Sequence, residues 1–310
     1  MNVRKTPKRQ ALTPSLAAEW AQMAHALYLE ALMNQTHWSA GEIAFHGGTS
    51  LRLSWSSQRH SEDLDFLLSR SVRDLDAVVR VIHAAMSEMA RRIDADFVIG
   101  LADKTKDAYR MASYMITVSH PRYMGTAKVK AEFWRTKPAY LKKYPTQMRT
   151  PQAHAVSLDF YSLVHSPVPA ATLETAYADK LTAFATRPYL KWRDLYDLWW
   201  IGTQTGARLE MNALCKQFLH NISAYTPLQN LPPAQALALF LKHDKRELVK
   251  RADPGLRNWL PESLWARMVP EGIRQIVDYV FYAIDNVSTH IERGGRDKAD
   301  LHSAPRAGAA

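Results

Sequence analysis

Phe45-His46-Gly47-Gly48-Thr49-Ser50-Leu51, followed by Ser61-Glu62-Asp63-Leu64-Asp65-Phe66, sets a glycine turn upstream of two carboxylates at i, i+2 spacing. In an extended strand alternate side chains share a face, so Asp63 and Asp65 project together while Leu64 and Phe66 point into the core. One divalent ion can bridge such a pair. The Gly47-Gly48 turn frees backbone N–H groups, and Thr49-Ser50 falls where the next helix begins, a place that attracts phosphate through unpaired amides and the helix dipole. The stretch therefore reads as a metal-bound nucleotide site in which phosphate and metal are neighbours.

Outward from this core the patterning predicts an α+β chain. An amphipathic helix is expected from Pro14 to about Met33, a short buried strand over 43–45, a helix over 49–55, and the carboxylate strand over 64–68. A long helix follows over 72–93, with Leu75, Val78, Val79, Ile82, Met86 and Met89 on one face. Strand character at 97–99, 114–118 and 128–134 predicts an antiparallel meander. In its last strand Val129, Ala131 and Phe133 face the core, leaving Lys128, Lys130 and Glu132 opposite, where Glu132 is a candidate third acidic group.

A proline-bearing connection at 138–151 leads to helical patterns only, over 172–187, 192–203, 208–223, 233–251 and 263–293. The expected organisation is a flexible basic arm at 1–14, an α/β domain at 15–150, a helical domain at 151–294 and a disordered tail at 295–310.

The 310 residues carry a formal net charge of +10, which favours a polyanionic partner, nucleic acid first, against the blander reading of surplus charge for solubility. A single cysteine, Cys215, excludes an internal disulfide and any cysteine-based zinc cluster. No apolar run is long enough for a membrane span and the basic start lacks a signal-peptide core, so a cytoplasmic protein without membrane association is expected. There is no Gly-x-Ser-x-Gly elbow, no Gly-x4-Gly-Lys-Ser/Thr phosphate loop and no His-Glu-x-x-His helix.

A second charged cluster interrupts two apolar helical stretches, Glu174 to Arg187 and Arg193-Asp194-Leu195-Tyr196-Asp197-Leu198. Asp194 and Asp197 share a helical face, and Lys180 emerges among Tyr177, Leu181 and Phe184. By itself this reads equally well as an interhelical salt bridge. Taken in order, Gly-Gly-Thr-Ser at 47–50, Ser-Glu-Asp-Leu-Asp at 61–65, Lys180, and Arg-Asp-Leu-Tyr-Asp at 193–197 resemble the AbiEii/AbiGii nucleotidyltransferase toxin family. The departures are His46 before the glycines, a long gap from Gly48 to Asp63, and Asp179 where the family commonly has Glu.

The resemblance implies a polymerase-β-like nucleotidyltransferase domain with a mixed sheet, followed by an all-helical domain. It implies transfer of NMP from an NTP with loss of pyrophosphate. Mg²⁺, or Mn²⁺, would sit on Asp63 and Asp65, with Glu132 as a possible ligand of a second ion. Gly47, Gly48, Thr49 and Ser50 would cradle phosphates, and Lys180 would offset charge on the leaving group. Asp194 would orient Lys180 or a metal-bound water, Asp197 would do the same or only support packing, and Arg193 is an additional candidate. The acceptor implied is the 3′ end of tRNA, which would block translation in a growth-inhibiting toxin of a toxin-antitoxin or abortive-infection (phage-defence) system, with a cognate antitoxin. Arg52, Arg59, Lys128, Lys130 and Arg187 are candidate RNA phosphate contacts. The alternatives are nucleotidylation of a protein or small-molecule hydroxyl, and a non-catalytic nucleic-acid-binding protein that retains the fold.

Overall fold

The computed structural model describes residues 9–152 and 164–294. The expected tail at 295–310 and residues 1–8 of the expected arm lie outside them. The described chain divides into two compact units, the first drawn from residues 1–56, 62–142 and 146–170, the second from 57–61, 143–145 and the residues after 170.

In the first unit Thr13 caps α1 (Pro14–Gln35), its hydroxyl accepting from the Leu16 N–H, and Pro14 occupies the first turn, where its missing N–H costs nothing. Every residue from Met23 to Leu32 is buried, so α1 is wrapped on all sides rather than amphipathic. It packs against α3 (Leu75–Ile93) and the strands β5 (Met111–Ser119) and β7 (Ala127–Thr136). α3 keeps the amphipathic pattern expected of it, burying Leu75, Val79, Ile82, Met86 and Ala90; it starts three residues late because Asp74 takes a left-handed φ of 53°.

The main sheet has seven strands among the described residues. With β2 (Ile43–His46), β3 (Asp63–Ser69), β4 (Val98–Asp103), β8 (Thr146–Arg149) and β9 (Val168–Ala171), its order is β4-β5-β7-β3-β2-β9-β8. The meander β4-β5-β7 is antiparallel, β3 joins β7 in parallel, and β2 runs antiparallel to β3 and parallel to β9. A separate two-stranded ribbon pairs β1 (Gln10–Ala11) with β6 (Tyr123–Met124), and a single-turn helix, α4 (Pro138–Leu141), follows β7.

The strands β8 and β9 have no counterpart in the sequence pattern. Each has four residues, and Pro169 inside β9 reads as punctuation. Their neighbourhood is organised by a side chain instead. Glu30, buried on α1, accepts from the His165 N–H at 2.8 Å, the Ser166 N–H at 2.7 Å and the Ser166 hydroxyl at 3.0 Å, fixing the residues that lead into β9.

The second unit is helical: α5 (Leu173–Thr186), α6 (Trp192–Gln204), α7 (Met211–Ile222), α8 (Pro233–Ala238), α9 (Lys245–Arg257), α10 (Glu262–Met268) and α11 (Glu271–Glu292). Thr172 caps α5 through the Thr175 N–H, and Cys215 is buried on α7. Two expected helices are each broken in two. The 233–251 stretch passes through a 3₁₀ turn at Leu239–Lys242 before Asp244 caps a new helix at the Glu247 N–H. The 263–293 stretch breaks at Val269–Pro270, because proline lacks an N–H and disfavours helical geometry in the residue before it. No helix among the described residues is long and apolar enough to cross a membrane.

Replacing Glu30 by Ala strips the acceptor from two backbone N–H groups. We expect a loss of roughly 1–3 kcal/mol in unfolding free energy, measured by urea denaturation, with the fold retained.

Candidate active site

The sheet of the first unit sets the site by register. Leu64 and Phe66 are buried, and Phe66 stacks on Phe133 with ring centroids 4.9 Å apart. Asp63 and Asp65, at the alternate positions, are half-buried on the other face. Parallel pairing with β7 places Asp63 opposite Lys130 and Asp65 opposite Glu132, while β2 places His46 opposite Asp65. Lys130 Nζ lies 2.9 Å from Glu132 Oε1 and 3.8 Å from Asp63 Oδ2. Its pKa is raised, first by the hydrogen bond to Glu132 and further by the charges of Asp63 and Asp65, against the opposing pull of burial.

The ammonium holds a position of strongly negative potential and stands in for the positive charge these carboxylates attract. Hard oxygen donors of this kind suit Mg²⁺ or Mn²⁺, which take one or two carboxylates plus substrate phosphate rather than a closed protein cage. In donor type, Asp63, Asp65 and Glu132 match what such an ion takes, which makes them the candidate ligands.

The glycine turn closes on the same carboxylates. Gly47 has φ +77°, and a Cβ built there would stand 2.5 Å from Asp65 Oδ2, so only glycine lets the turn and the carboxylate meet. It opens α2 (Gly47–Trp55), whose first turn is pinned by two hydroxyls: Thr49 donates to the Asp63 carbonyl, and Ser50 donates to the Phe45 carbonyl at 3.1 Å. Both side chains are buried. They therefore stitch α2 to β2 and β3, which leaves any phosphate contact to the backbone of the turn.

In the second unit α5 and α6 carry a buried ion cluster. Lys180 Nζ lies 2.7 Å from Asp194 Oδ1 and 2.7 Å from Asp197 Oδ2. Arg187 Nη1 lies 2.7 Å from Asp194 Oδ2. Arg59 grips Asp197 with two nitrogens, Nη2 to Oδ2 at 2.7 Å and Nε to Oδ1, and donates from Nη1 to the His60 carbonyl at 2.8 Å. With Arg59 1% and Asp197 0% exposed, this arginine is an internal counter-ion and not the RNA phosphate contact expected of it.

Burial pushes the Asp194 carboxyl up, but the Lys180 ammonium and the Arg187 guanidinium prevail and hold it at about 2. Burial likewise opposes ionisation of Asp197, and Arg59, then Lys180, overcome it and lower its pKa. Two carboxylates on one face of an apolar helix call for more positive charge than Lys180 supplies, but nothing in the sequence says that Arg59 and Arg187 provide it. Arg193 lies over the Trp259 ring, 4.5 Å from its centroid, and makes no ion pair among the described residues. Asp179, next to Lys180, accepts from the Tyr144 hydroxyl and, at 2.9 Å, from Asn221 Nδ2, a packing role.

Asp94, Asp96 and His120 form the one group of three among the described residues that brings a ligand atom each within 4.8 Å of one another. His120 Nδ1, however, accepts the Arg122 N–H at 3.1 Å, so Nε2 carries the proton of the neutral ring and faces Asp94 at 3.3 Å. Both ring nitrogens of His120 are thus already engaged in hydrogen bonds.

A mixed sheet bearing a glycine turn and a paired-carboxylate strand, followed by helices, is the architecture of a nucleotidyltransferase. The chain belongs to the family described as nucleotidyl transferase AbiEii toxin, type IV toxin-antitoxin system, whose model matches residues 31–277. Similar solved structures include MenT4, a nucleotidyltransferase toxin of Mycobacterium tuberculosis, at TM-score 0.55, 18% identity, and 91% of this chain against 90% of that one. JHP933 of Helicobacter pylori is similar at TM-score 0.53 and 17% identity, over 92% of this chain and 96% of that one. No curated protein sequence matches. The protein is a nucleotidyltransferase of a toxin-antitoxin family, and enzymes of this kind take an NTP and a divalent metal.

Two outcomes follow from the geometry. Gly47→Ala should cost about 1–2 kcal/mol of stability from the left-handed backbone and displace Asp65, seen as weakened Mn²⁺ binding in paramagnetic relaxation measurements. Because the folded Asp194 pKa lies below its unfolded value of about 3.9, its stabilisation is complete above about pH 4 and is lost as pH falls through about 2. The stability gap between wild type and Asp194→Asn should therefore shrink by roughly 2 kcal/mol between pH 5 and pH 2 in denaturant titrations.

Proposed function

We propose that the protein transfers NMP from an NTP to the 3′ end of RNA, tRNA foremost, with release of pyrophosphate, and that this arrests translation and growth. The observation that carries the reading is the carboxylate strand set against the Gly47 turn, with Lys130 supplying the cation its acids attract. Asp63 and Asp65 would hold the divalent ion, with Glu132 beside them. When bound, that ion supplies Lewis-acid stabilisation of the triphosphate and favours ionisation of the acceptor hydroxyl.

The chain's own residues do the rest. The backbone of Gly47 and Gly48, at the start of α2, receives phosphate oxygens. As the 3′-hydroxyl oxygen bonds to the α-phosphorus, the α–β bridge breaks and negative charge moves to pyrophosphate. In the helical unit three cations, Arg59, Lys180 and Arg187, stand against two carboxylates. To Lys180, oriented by Asp194, we assign the role the family resemblance implies, offsetting charge on the leaving pyrophosphate. The net charge of +10 favours an RNA acceptor. Family membership implies a cognate antitoxin that restrains the enzyme.

Incubation with Mg²⁺, labelled NTPs and total RNA, followed by sequencing of RNA 3′ ends, tests the reading. We expect added nucleotides on tRNA 3′ ends, with Asp65→Ala and Lys180→Ala each lowering incorporation by at least a hundredfold. Label recovered on protein or a small molecule would overturn the acceptor, and growth inhibition surviving both substitutions would overturn the mechanism.

A further inference from the structure

The helical unit contains a cavity of about 400 Å³ between the end of α5, the 187–191 turn, the start of α6 and the 228–251 segment. Its inner wall is aromatic. Phe184 and Phe240 meet edge to face with centroids 4.9 Å apart. Its rim is cationic, with Arg187, Lys191 and Arg251 among the lining residues, and Tyr189 stands at the mouth 60% exposed.

The charges at this rim are unbalanced. The one carboxylate in the lining, Asp194, is already held at 2.7 Å by both Lys180 and Arg187. Among the described residues neither Lys191 nor Arg251 has a carboxylate at ion-pair distance; Arg251 instead lies over the Trp192 ring, 5.5 Å from its centroid. Burial is the main cause that lowers the Lys191 pKa, and the charges of Arg187 and Arg193 lower it further against the opposing pull of Asp194.

The wall is also built to a tolerance. A Cβ at Gly255 of α9 would stand 2.3 Å from Trp192 Cδ1, so the glycine lets the indole seat directly against the helix backbone. An aromatic floor under a rim whose three cations face a single carboxylate has one natural guest: a planar ring carrying a phosphate. The volume lies at the small end of the range for ligand sites, about 300–1,000 Å³, and suits a single nucleotide.

We infer that this cavity binds one nucleotide, its base against Phe184, Phe240 and Tyr189 and its phosphate on Lys191, Arg251 and Arg187. The inference rests on the transfer reading above, because that reaction offers two nucleotide sources: a mononucleotide, or one residue of the RNA strand. Aromatic platforms beside cationic grooves bind single strands without sequence preference, each stacked base contributing about 1–3 kcal/mol.

The test is binding in EDTA, where no transfer occurs, using the full chain with fluorescein-labelled penta-uridylate in one arm and unlabelled UMP and UTP in the other. Anisotropy follows the first and calorimetry the second. Tyr189→Ala and Arg251→Gln alter exposed side chains, so their melting temperatures should match wild type. The pair combined should weaken binding at least tenfold in one arm, and Arg251→Gln should reduce the salt slope of RNA binding by about one. A defect confined to the RNA arm assigns the cavity to the acceptor strand, and one confined to the mononucleotide arm assigns it to the donor; both support the inference. Affinities unchanged in both arms overturn it, while 3′-end incorporation measured separately with Mg²⁺ reports on the transfer reading by itself.

Discussion

The parallel pairing of β3 with β7 is the constraint on which the first unit depends. It runs residue for residue from Asp63 opposite Lys130 to Ser69 opposite Thr136. A slip of β3 by one residue would turn each of its side chains to the other face, exposing Leu64 and Phe66 while burying Asp63 and Asp65. The core therefore enforces the chemistry: the stack of Phe66 on Phe133 and of Phe45 against Phe66, at 5.3 Å, holds Asp65 level with Glu132. The Gly47 turn then meets Asp65 because β2 is locked to β3 through His46 opposite Asp65.

The second unit is organised by charge. Removing either partner of a buried ion pair strands the other in an apolar surrounding, at a cost of roughly 3–5 kcal/mol. Replacing the whole cluster by apolar residues would by contrast be close to neutral, so stability alone does not account for it. Its value lies in arrangement: Asp197 is gripped by the planar fork of Arg59, and Asp194 is divided between Lys180 and Arg187, which fixes Lys180 Nζ between two carboxylates.

Sequence reading located the carboxylate strand, the glycine turn, α3 and the helical second half because each rests on local periodicity or turn chemistry. It did not reveal β8 and β9, whose four-residue lengths carry no period and whose approach is set by Glu30, 135 positions away in sequence at His165. The same limit applies to Arg59. In sequence it is a basic residue in a polar loop, and only the fold brings it to Asp197 across 138 positions. α1 has the spacing of an amphipathic helix, yet its burial is decided by packing on α3, β5 and β7, a condition invisible to a helical wheel. Thr49 and Ser50 looked like phosphate ligands, but a buried hydroxyl beside a carbonyl will satisfy itself locally first.

The two lysines at the centre of these clusters are built for different behaviour. Lys130 is 33% exposed, on a strand face with Glu132 at 2.9 Å and Asp63 at the longer 3.8 Å, a point charge on a flexible stem that can withdraw into solvent. Lys180 is 11% exposed and held by two carboxylates at 2.7 Å, each bound in turn by an arginine, so moving it would uncover two buried anions. Under the proposed mechanism the carboxylate strand must exchange its resting positive charge for a divalent ion, which a displaceable ammonium allows, whereas Lys180 must be fixed beforehand, since reorientation would add to the barrier. Exposure and partner count, rather than residue type, separate the replaceable ammonium from the preorganised one.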